Sequence, residues 1–346
     1  MKILFAGTPA NAARTLSWLL EHEFEVVGVL TRPDAAVGRK KVLTPSPVAQ
    51  IAQSAGLSVF KANRVDEDLA EALSATGADL GVVVAYGALL KDFALRSLPL
   101  GWVNLHYSLL PDWRGAAPVQ NSIMSGDDVT GVTLFQLDSG MDTGPIYSAV
   151  PTQINPAETA GDLLTRLTEL GNTLLGQTLP AIAAGIAVPM PQQSGTLARA
   201  ATKIFREQAR IDWSQPALRV ERHVLGLNPE PMAYTVLNDQ PIRVLHARAL
   251  RLESLGLDQS KPKPDGSGAV GIEAAGPGRQ NTNSAGSIGE VSVAKQQVLV
   301  TCGGGTQLEL IQVQPSGKNP MAASDWVRGL GGKPVIFELG INERKI

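Results

Sequence analysis

One apolar run constrains the fold more than any other feature of the sequence. Residues 78–85 are apolar at consecutive positions, apart from Asp79, and a turn signal follows them. Such a run is typical of a strand at the centre of a parallel sheet, because helices cover both faces of that sheet. The start of the chain agrees, since a strand (2–6), a helix (10–20) and a second strand (24–30) follow one another there. We therefore predict an α/β fold with a Rossmann-like parallel sheet in the first part of the chain.

Nicotinamide binding is the obvious function for such a sheet, and the first turn argues against it. Gly7 is followed by Thr8 and Pro9, and no further glycine follows at the spacing of a dinucleotide-binding turn. The glycine-rich pattern that lets a backbone approach a pyrophosphate closely is therefore absent. A tight structural turn is the better explanation of this segment.

Composition excludes several further classes. The chain has 346 residues, of which 44% are hydrophobic and 18% charged, and its formal net charge of −2 gives no overall attraction to nucleic acid. No apolar run approaches the ~20 residues needed to span a bilayer. Cys302 is the only cysteine and the histidines lie in unrelated contexts, so we expect neither a disulfide nor a metal site. These features predict a cytoplasmic protein that binds no membrane.

A change of composition predicts two domains. Residues 185–204 include several Pro, Gln and Gly residues, and we interpret them as a linker between a first domain at 1–184 and a second at 205–335. The second domain contains short strands separated by turn signals, which is typical of a small, OB-like β-barrel. Residues 254–285 lack apolar content and are predicted to be a disordered insertion.

The stretch from Gly101 to Pro118 carries the first candidate chemistry. It begins as a strand in which Asn104 and His106 are two residues apart, so both side chains leave by the same face. An amide and an imidazole at the carboxyl end of a strand are suited to stabilising charge on a reacting oxygen. The alternative is structural, with Asn104 capping a turn and His106 packed in the core. These residues alone favour that alternative slightly.

A second candidate is the loop at 138–144, which is rich in Gly and Asp. Asp138 and Asp142 are typical turn residues, and turn formation explains them without any function. The functional alternative is that one of the two carboxylates meets His106 and holds the ring charged and oriented.

Basic residues mark two further candidates. The loop at 32–47 is too long and too rich in Pro and Gly for a simple connection. Arg39, Lys40 and Lys41 form a cluster on it, which either is a solvated surface or binds phosphates. Arg206 belongs to a set of regularly spaced arginines, for which a solvated surface is the simpler explanation.

A series of motifs runs through the chain in a fixed order. In the first half these are Phe5-Ala-Gly-Thr-Pro9, Leu43-Thr-Pro-Ser-Pro47, Val82-Val-Val-Ala-Tyr-Gly87, Asn104-x-His106-x-Ser108-Leu-Leu-Pro111, Trp113-Arg-Gly-Ala-Ala-Pro118 and Asp138-x-Gly-x-Asp-Thr-Gly144. In the second half they are Ala209-Arg-Ile-Asp-Trp213, Asn228-Pro-x-Pro-Met232 and Gln314-Pro-x-Gly-Lys318. Their order and spacing resemble those of the methionyl-tRNA formyltransferases, a family of folate-dependent formyltransferases, over nearly the whole chain.

The resemblance implies an enzyme that transfers a formyl group from 10-formyltetrahydrofolate, its co-substrate, to the α-amino group of initiator methionyl-tRNA for translation initiation. It implies that residues 1–184 are the catalytic domain, that residues 205–335 bind tRNA, and that the protein acts as a monomer without a metal. The implied catalytic residues are Asn104, His106 and Asp142. The implied folate-binding residues are Tyr86, Gly87, Ser108, Leu109, Leu110, Pro111 and Asp138. The implied tRNA-binding residues are Arg39, Lys40, Lys41 and Arg206.

Two kinds of alternative remain at this stage. The Asn-x-His…Asp set is common to all folate-dependent formyltransferases, so a sugar-nucleotide amine, or water in a formyl-folate hydrolase, is an alternative acceptor. The loop at 32–47 favours tRNA. A non-catalytic RNA-binding protein is the alternative from a different class, and the presence of Asn104, His106 and Asp142 together argues against it.

Overall fold

The computed structural model describes residues 1–38, 40–193, 198–250, 286–294 and 297–339. The chain divides into two compact units, Met1–Ile204 and Phe205–Ile346. Arg39 and the predicted insertion at 254–285 lie outside the described residues. The functional domain boundaries predicted from composition stay a prediction.

The first unit alternates strands and helices. In chain order its elements are β1 (Lys2–Gly7), α1 (Ala10–Glu21), β2 (Glu25–Thr31), β3 (Ala35–Val37), β4 (Val42–Thr44), α2 (Pro47–Ser54), β5 (Ser58–Lys61), α3 (Glu67–Ser74), β6 (Leu80–Val84), α4 (Asp92–Leu95), β7 (Trp102–His106), β8 (Arg114–Gly115), α5 (Pro118–Ser125), β9 (Val129–Gln136), β10 (Ile146–Gln153), α6 (Ala160–Ala183) and β11 (Ala200–Ala201).

Within the described residues, β10-β9-β7-β6-β1-β2-β5 form one sheet in that order. The five strands from β7 to β5 are parallel, and β9 and β10 run antiparallel at one edge. The apolar run at 78–85 supplies β6, which is buried along its whole length. The predicted α/β architecture is confirmed.

The sheet places a crevice at the carboxyl ends of β1 and β6. From β1 the chain builds β2 and β5 on one side and returns to build β6 and β7 on the other. Ligands of open α/β sheets bind where the strand order reverses in this way, because the outgoing connections diverge there. Thr8 lies at this point and donates a hydrogen bond from Oγ1 to the Tyr86 carbonyl oxygen, 2.9 Å away.

The long basic loop is a β-hairpin. β3 and β4 pair antiparallel, and Lys41 adopts a positive φ of 49° in the turn between them. The base of the hairpin is closed by a 2.7 Å hydrogen bond between the buried hydroxyl groups of Thr31 and Ser46. Ser46 also accepts a hydrogen bond from the Ala49 N–H and thereby caps α2.

The segment after α6 lies along the first unit. Met190 bridges to Ile146, and β11 pairs parallel with β8. The residues that we interpreted as a linker therefore make backbone hydrogen bonds with the unit that precedes them.

The second unit is built around a predominantly antiparallel sheet. Its helices and strands are a 3₁₀ helix (Arg206–Ala209), α7 (Ala217–Gly226), β12 (Tyr234–Leu237), β13 (Gln240–Ala249), β14 (Glu290–Ala294), β15 (Gln297–Thr301), a 3₁₀ turn (Gly303–Gly305), β16 (Gln307–Pro315), β17 (Met321–Ala322), α8 (Ala323–Arg328) and β18 (Val335–Ile336). The strands pair in the order β12-β13-β16-β15-β14-β18 and form a nearly closed barrel. The predicted β-barrel is confirmed.

Three stacked rings lie in the core of this unit. Phe337 lies between Trp213 and Trp326, with ring centroids 5.2 and 5.8 Å away. Cys302 is also fully buried. Burial raises the pKa of its thiol to about 12, so the group is a neutral core residue and not a nucleophile.

Candidate active site

A cavity of about 540 Å³ opens beside the carboxyl ends of β6 and β7. It is lined mainly by apolar side chains, among them Val83, Leu90, Leu95 and Leu137. Leu89 and Met141 line the cavity while more than half exposed. The cavity also brings Asn104, His106 and Asp142 together. A largely apolar pocket with a few convergent polar groups is the usual form of a small-molecule site.

β7 supplies the first two polar groups. Asn104 pairs with Val83 of β6 on one side and with Phe135 of β9 on the other, so its backbone is fixed in the middle of the sheet. His106 is the last residue of β7 and is only 6% exposed. The two-residue spacing predicted that both side chains leave by one face, and both reach the cavity.

The loop after β9 supplies the third group. Asp142 adopts a positive φ of 54°, which is uncommon for a residue with a side chain. Its Oδ2 accepts a 2.8 Å hydrogen bond from the Gly115 N–H and lies 3.8 Å from Nδ1 of His106. The side chain is 15% exposed. The carboxylate is therefore held at electrostatic distance from the ring, but beyond hydrogen-bond distance.

The second ring nitrogen of His106 has a fixed partner. Nε2 lies 2.9 Å from the carbonyl oxygen of Trp113. A carbonyl oxygen can only accept, so Nε2 carries a proton and donates it. In the neutral ring Nδ1 then has no proton, and it faces Asp142.

Burial decides the charge of this ring. Loss of hydration lowers the pKa of His106 below its ordinary value, and the neighbouring Asp142 and the hydrogen bond to Trp113 only partly oppose that effect. The functional alternative was that a carboxylate holds the ring charged. Asp142 does raise the pKa of His106, as that alternative requires, but burial lowers it by more. The direction of this shift favours the neutral ring.

The predicted folate-binding residues fall into two groups, those that line the cavity and those that do not. Tyr86, Gly87 and Asp138 line the cavity. Tyr86 donates its hydroxyl to the Ala62 carbonyl oxygen at 2.8 Å, and burial raises its pKa. Asp138 Oδ1 accepts hydrogen bonds from the Gly140 N–H and from the side-chain hydroxyl of Thr143, so this carboxylate shapes the loop that bears Asp142.

Ser108, Leu109, Leu110 and Pro111 are not among the described residues that line the cavity. Ser108 is fully buried and donates from Oγ to the Asp112 carbonyl oxygen at 2.6 Å. The backbone N–H of Leu110 donates to Thr133 Oγ1 at 3.2 Å. In the structure these residues fix the course of the chain between His106 and Trp113.

Arg39 lies outside the described residues, and the other three predicted tRNA-binding residues are exposed. Lys40 and Lys41 occupy the turn of the β3–β4 hairpin, and Arg206 begins the 3₁₀ helix of the second unit. Within the described part of the chain, no carboxylate lies within ion-pair distance of these three side chains. Their charges are therefore available to a partner.

Three contributors to the site were not predicted: the carbonyl of Trp113, the N–H of Gly115, and Gln192. Trp113 and Gly115 act through their backbone. Gln192 accepts from the Arg114 side chain and donates to backbone carbonyls in the loop of Asp142. The side-chain pattern of a sequence carries no signal for a backbone contact. The motif Trp113-Arg-Gly marked the place, but not the role.

Comparison with known proteins assigns the class. Residues 1–179 match the formyl transferase family model, and residues 203–331 match the model of the formyl transferase C-terminal domain. The chain therefore belongs to the formyl transferases.

Close relatives specify the family. The chain is 45% identical over 339 residues to the methionyl-tRNA formyltransferase of Paenarthrobacter aurescens. The aligned region covers 98% of this chain and 100% of that protein. The chain is 42% identical to the enzyme of the same name from Streptomyces griseus, with 95% and 97% coverage. The chain belongs to the methionyl-tRNA formyltransferase family. The resemblance inferred from the motifs is confirmed.

Solved structures share the fold at low identity. An N-formyltransferase from Helicobacter canadensis, in complex with folinic acid and dTDP-3-aminofucose, has a TM-score of 0.60 at 16% identity and covers 91% of this chain and 99% of its own. HypX from Aquifex aeolicus in complex with tetrahydrofolic acid has a TM-score of 0.59 at 16% identity and covers 94% of this chain and 47% of its own. Among the described residues, no helix is long and apolar enough to cross a bilayer.

Proposed function

We propose that Asn104, His106 and Asp142 catalyse transfer of the formyl group of 10-formyltetrahydrofolate to the α-amino group of methionine on initiator tRNA. The observation that carries this proposal is the convergence of the three side chains on one cavity. They come from β7 and from a loop 36 residues further along the chain, so their meeting is a product of the fold.

The cavity fits the formyl donor. Its volume of about 540 Å³ lies within the roughly 300–1,000 Å³ typical of cofactor sites. The apolar walls can receive flat rings, and Leu89 and Met141 at the opening can cover them. Bound 10-formyltetrahydrofolate supplies the electrophilic formyl carbon.

Asn104 stabilises the charge that develops on the formyl oxygen. Its amide N–H donates a hydrogen bond to that oxygen as the amine attacks. A donor that is already oriented costs no reorganisation during the reaction, which is why such groups have large effects on rate.

His106 manages the proton of the attacking amine. The neutral ring has an unprotonated Nδ1, and this atom accepts the proton that the amine loses when the new C–N bond forms. Asp142 stabilises the imidazolium that results, at 3.8 Å. The imidazolium then returns the proton from Nδ1 to the leaving nitrogen as the old C–N bond breaks, and the neutral ring is restored.

The tRNA is bound by basic residues outside the cavity. The β3–β4 hairpin presents Lys40 and Lys41, and Arg39 lies between them and Gly38 in the sequence. Unpaired cations on an exposed hairpin are suited to phosphates. The domain at 205–335, with Arg206, contributes the remaining tRNA contacts, and the enzyme acts as a monomer in the cytoplasm.

The proposal is tested by His106→Ala, assayed with 10-formyltetrahydrofolate and methionyl-tRNA. We expect turnover to fall by about 10²-fold or more, with folate binding retained. Near wild-type turnover would refute the assignment. Offering a sugar-nucleotide amine, water and methionyl-tRNA as acceptors in parallel tests the substrate, and preference for either of the first two would refute tRNA as the acceptor.

A further inference from the structure

The segment that follows α6 contacts the two groups that face the ring nitrogens of His106, which are Asp142 at Nδ1 and Trp113 at Nε2. We call its described residues, 190–193 and 198–201, the strap. Gln192 contacts the loop of Asp142, which faces Nδ1, and Arg199 contacts Trp113, which accepts from Nε2. The strap is held to the first unit at both ends, by Met190 and by β11.

Gln192 makes the full set of hydrogen bonds that a glutamine amide can make. Its Nε2 donates to the carbonyl oxygens of Asp142 and Gly144, each 2.8 Å away. Its Oε1 accepts from Arg114 through both Nε and Nη2. Carbonyl oxygens only accept and a guanidinium only donates, so the orientation of the amide is unambiguous.

The hydrogen bonds of Gln192 hold the backbone of Asp142, and the conformation of that backbone directs the carboxylate toward His106. Asp142 has a positive φ of 54°, a strained conformation that persists only where its surroundings hold it. Gln192 holds the carbonyl of this residue, while the Gly115 N–H holds its carboxylate. Arg114, which donates to Gln192, immediately precedes Gly115 in the chain. Asp142 is therefore held on two sides, at its carbonyl by Gln192 and at its carboxylate by Gly115, and Arg114 links these two residues.

Arg199 holds the other partner of His106. Its guanidinium lies over the ring of Trp113, 4.3 Å from the centroid, and pairs with Asp112 at 2.8 Å and Asp127 at 2.6 Å. Its carbonyl oxygen accepts from the Trp113 N–H at 2.7 Å. The Trp113 carbonyl, which fixes the ring tautomer of His106, is thereby fixed itself.

We propose that two side chains of the strap, Gln192 and Arg199, position the groups that act in formyl transfer, and that Gln192 sets the distance between Asp142 and His106. This inference rests on the proposed roles of Asp142 and His106. Gln192 touches no reacting atom, so it acts through Asp142. Loss of the amide leaves the cavity walls intact, and it lets the carboxylate move away from the ring.

The test compares Gln192→Ala and Gln192→Glu with Gln193→Ala in the full-length protein. Gln193 is the adjacent, exposed glutamine, for which the structure shows no side-chain hydrogen bond to a described residue. Gln192→Glu keeps an acceptor for Arg114 and lacks both donors to the loop. For both Gln192 variants we expect kcat to fall about 10- to 100-fold and KM values to stay within about threefold. In Gln192→Ala, which adds no charge, we expect the NMR titration of His106 to move to lower pH. Gln193→Ala should match the wild type.

Three results would overturn the inference. They are a kcat within about twofold of wild type for either Gln192 variant, a loss of kcat with an unchanged His106 titration in Gln192→Ala, and an equal loss in Gln193→Ala. Asp142→Asn is assayed in parallel. If that variant is fully active, the proposed function fails; if it is impaired while the Gln192 variants are active, only the role of the strap fails.

Discussion

Replacement of Asp142 by Asn isolates the electrostatic part of the mechanism. Asparagine has nearly the same shape, and its Oδ1 can still accept the hydrogen bond from the Gly115 N–H that orients the wild-type carboxylate. The loop is therefore expected to keep its conformation, while the negative charge that faces Nδ1 of His106 is lost. A change in rate then reports the charge and not the structure.

The size of the effect follows from the geometry. Asp142 Oδ2 lies 3.8 Å from His106 Nδ1. Two unit charges at that separation attract by about 4 kcal/mol at an effective dielectric constant of about 20. Each ~1.4 kcal/mol is a factor of about ten in rate. If the proton is half transferred to the ring in the transition state, the variant loses about half of this energy and slows roughly 30-fold. Complete transfer gives roughly 1,000-fold, and we expect a value between these limits.

The assay is single-turnover formyl transfer to methionyl-tRNA, measured as a function of pH. The ring must be neutral to accept a proton, so the rate falls as pH drops through the pKa of His106. Burial lowers that pKa below its ordinary value, so in the wild type the fall occurs below about pH 6.5. Asp142 is one of the groups that raise it, so the fall should move to still lower pH in Asp142→Asn.

Asp128→Asn is the matched control. Asp128 is an exposed aspartate of the same unit and does not line the cavity, and its replacement should leave both rate and pH profile unchanged. A loss of less than about threefold in Asp142→Asn, or a fall in rate that moves to higher pH, would refute the electrostatic role of this carboxylate.

Three further predictions concern other parts of the molecule. Asn104→Asp removes the N–H donor and keeps a side chain of similar size. We expect single-turnover rates to fall about 10²- to 10³-fold, with folate affinity less affected. An unaltered rate would exclude the amide as an oxyanion donor. Replacing Arg39, Lys40 and Lys41 together by Ala should weaken tRNA binding and flatten its dependence on salt, measured by filter binding, without changing folate affinity; a salt slope equal to the wild type would show that the hairpin does not contact phosphates. Phe337→Ala removes the middle ring of a stack that is almost fully buried. We expect the free energy of unfolding of the second unit, measured by chemical denaturation, to fall by about 3–5 kcal/mol. A loss below about 1 kcal/mol would contradict the packing argument.

The sheet could be predicted from the sequence because its signals are local. The consecutive apolar residues of β6 and the capping serine of α2 mark single elements, and each depends on residues close in the chain. The pairing of β8 with β11 could not be predicted in the same way. Each of these strands has two residues, and 84 residues lie between Gly115 and Ala200. A strand of two residues shows no periodicity in its sequence. The contacts of Gln192 with the loop of Asp142 are with backbone carbonyls, and every residue type has such a carbonyl, so the sequence carries no signal for them.

The charge of His106 could not be predicted from the sequence because it depends on hydration, which only the folded structure determines. The sequence indicates that a carboxylate is near, and a carboxylate alone favours the imidazolium. The structure adds that the ring is 6% exposed and that Asp142 stays at 3.8 Å. A closer contact would bind a proton at Nδ1 permanently and leave no acceptor for the amine. A carboxylate beyond hydrogen-bond distance stabilises the imidazolium after the proton has arrived. The proposed mechanism therefore depends on the separation that we propose Gly115 and Gln192 maintain.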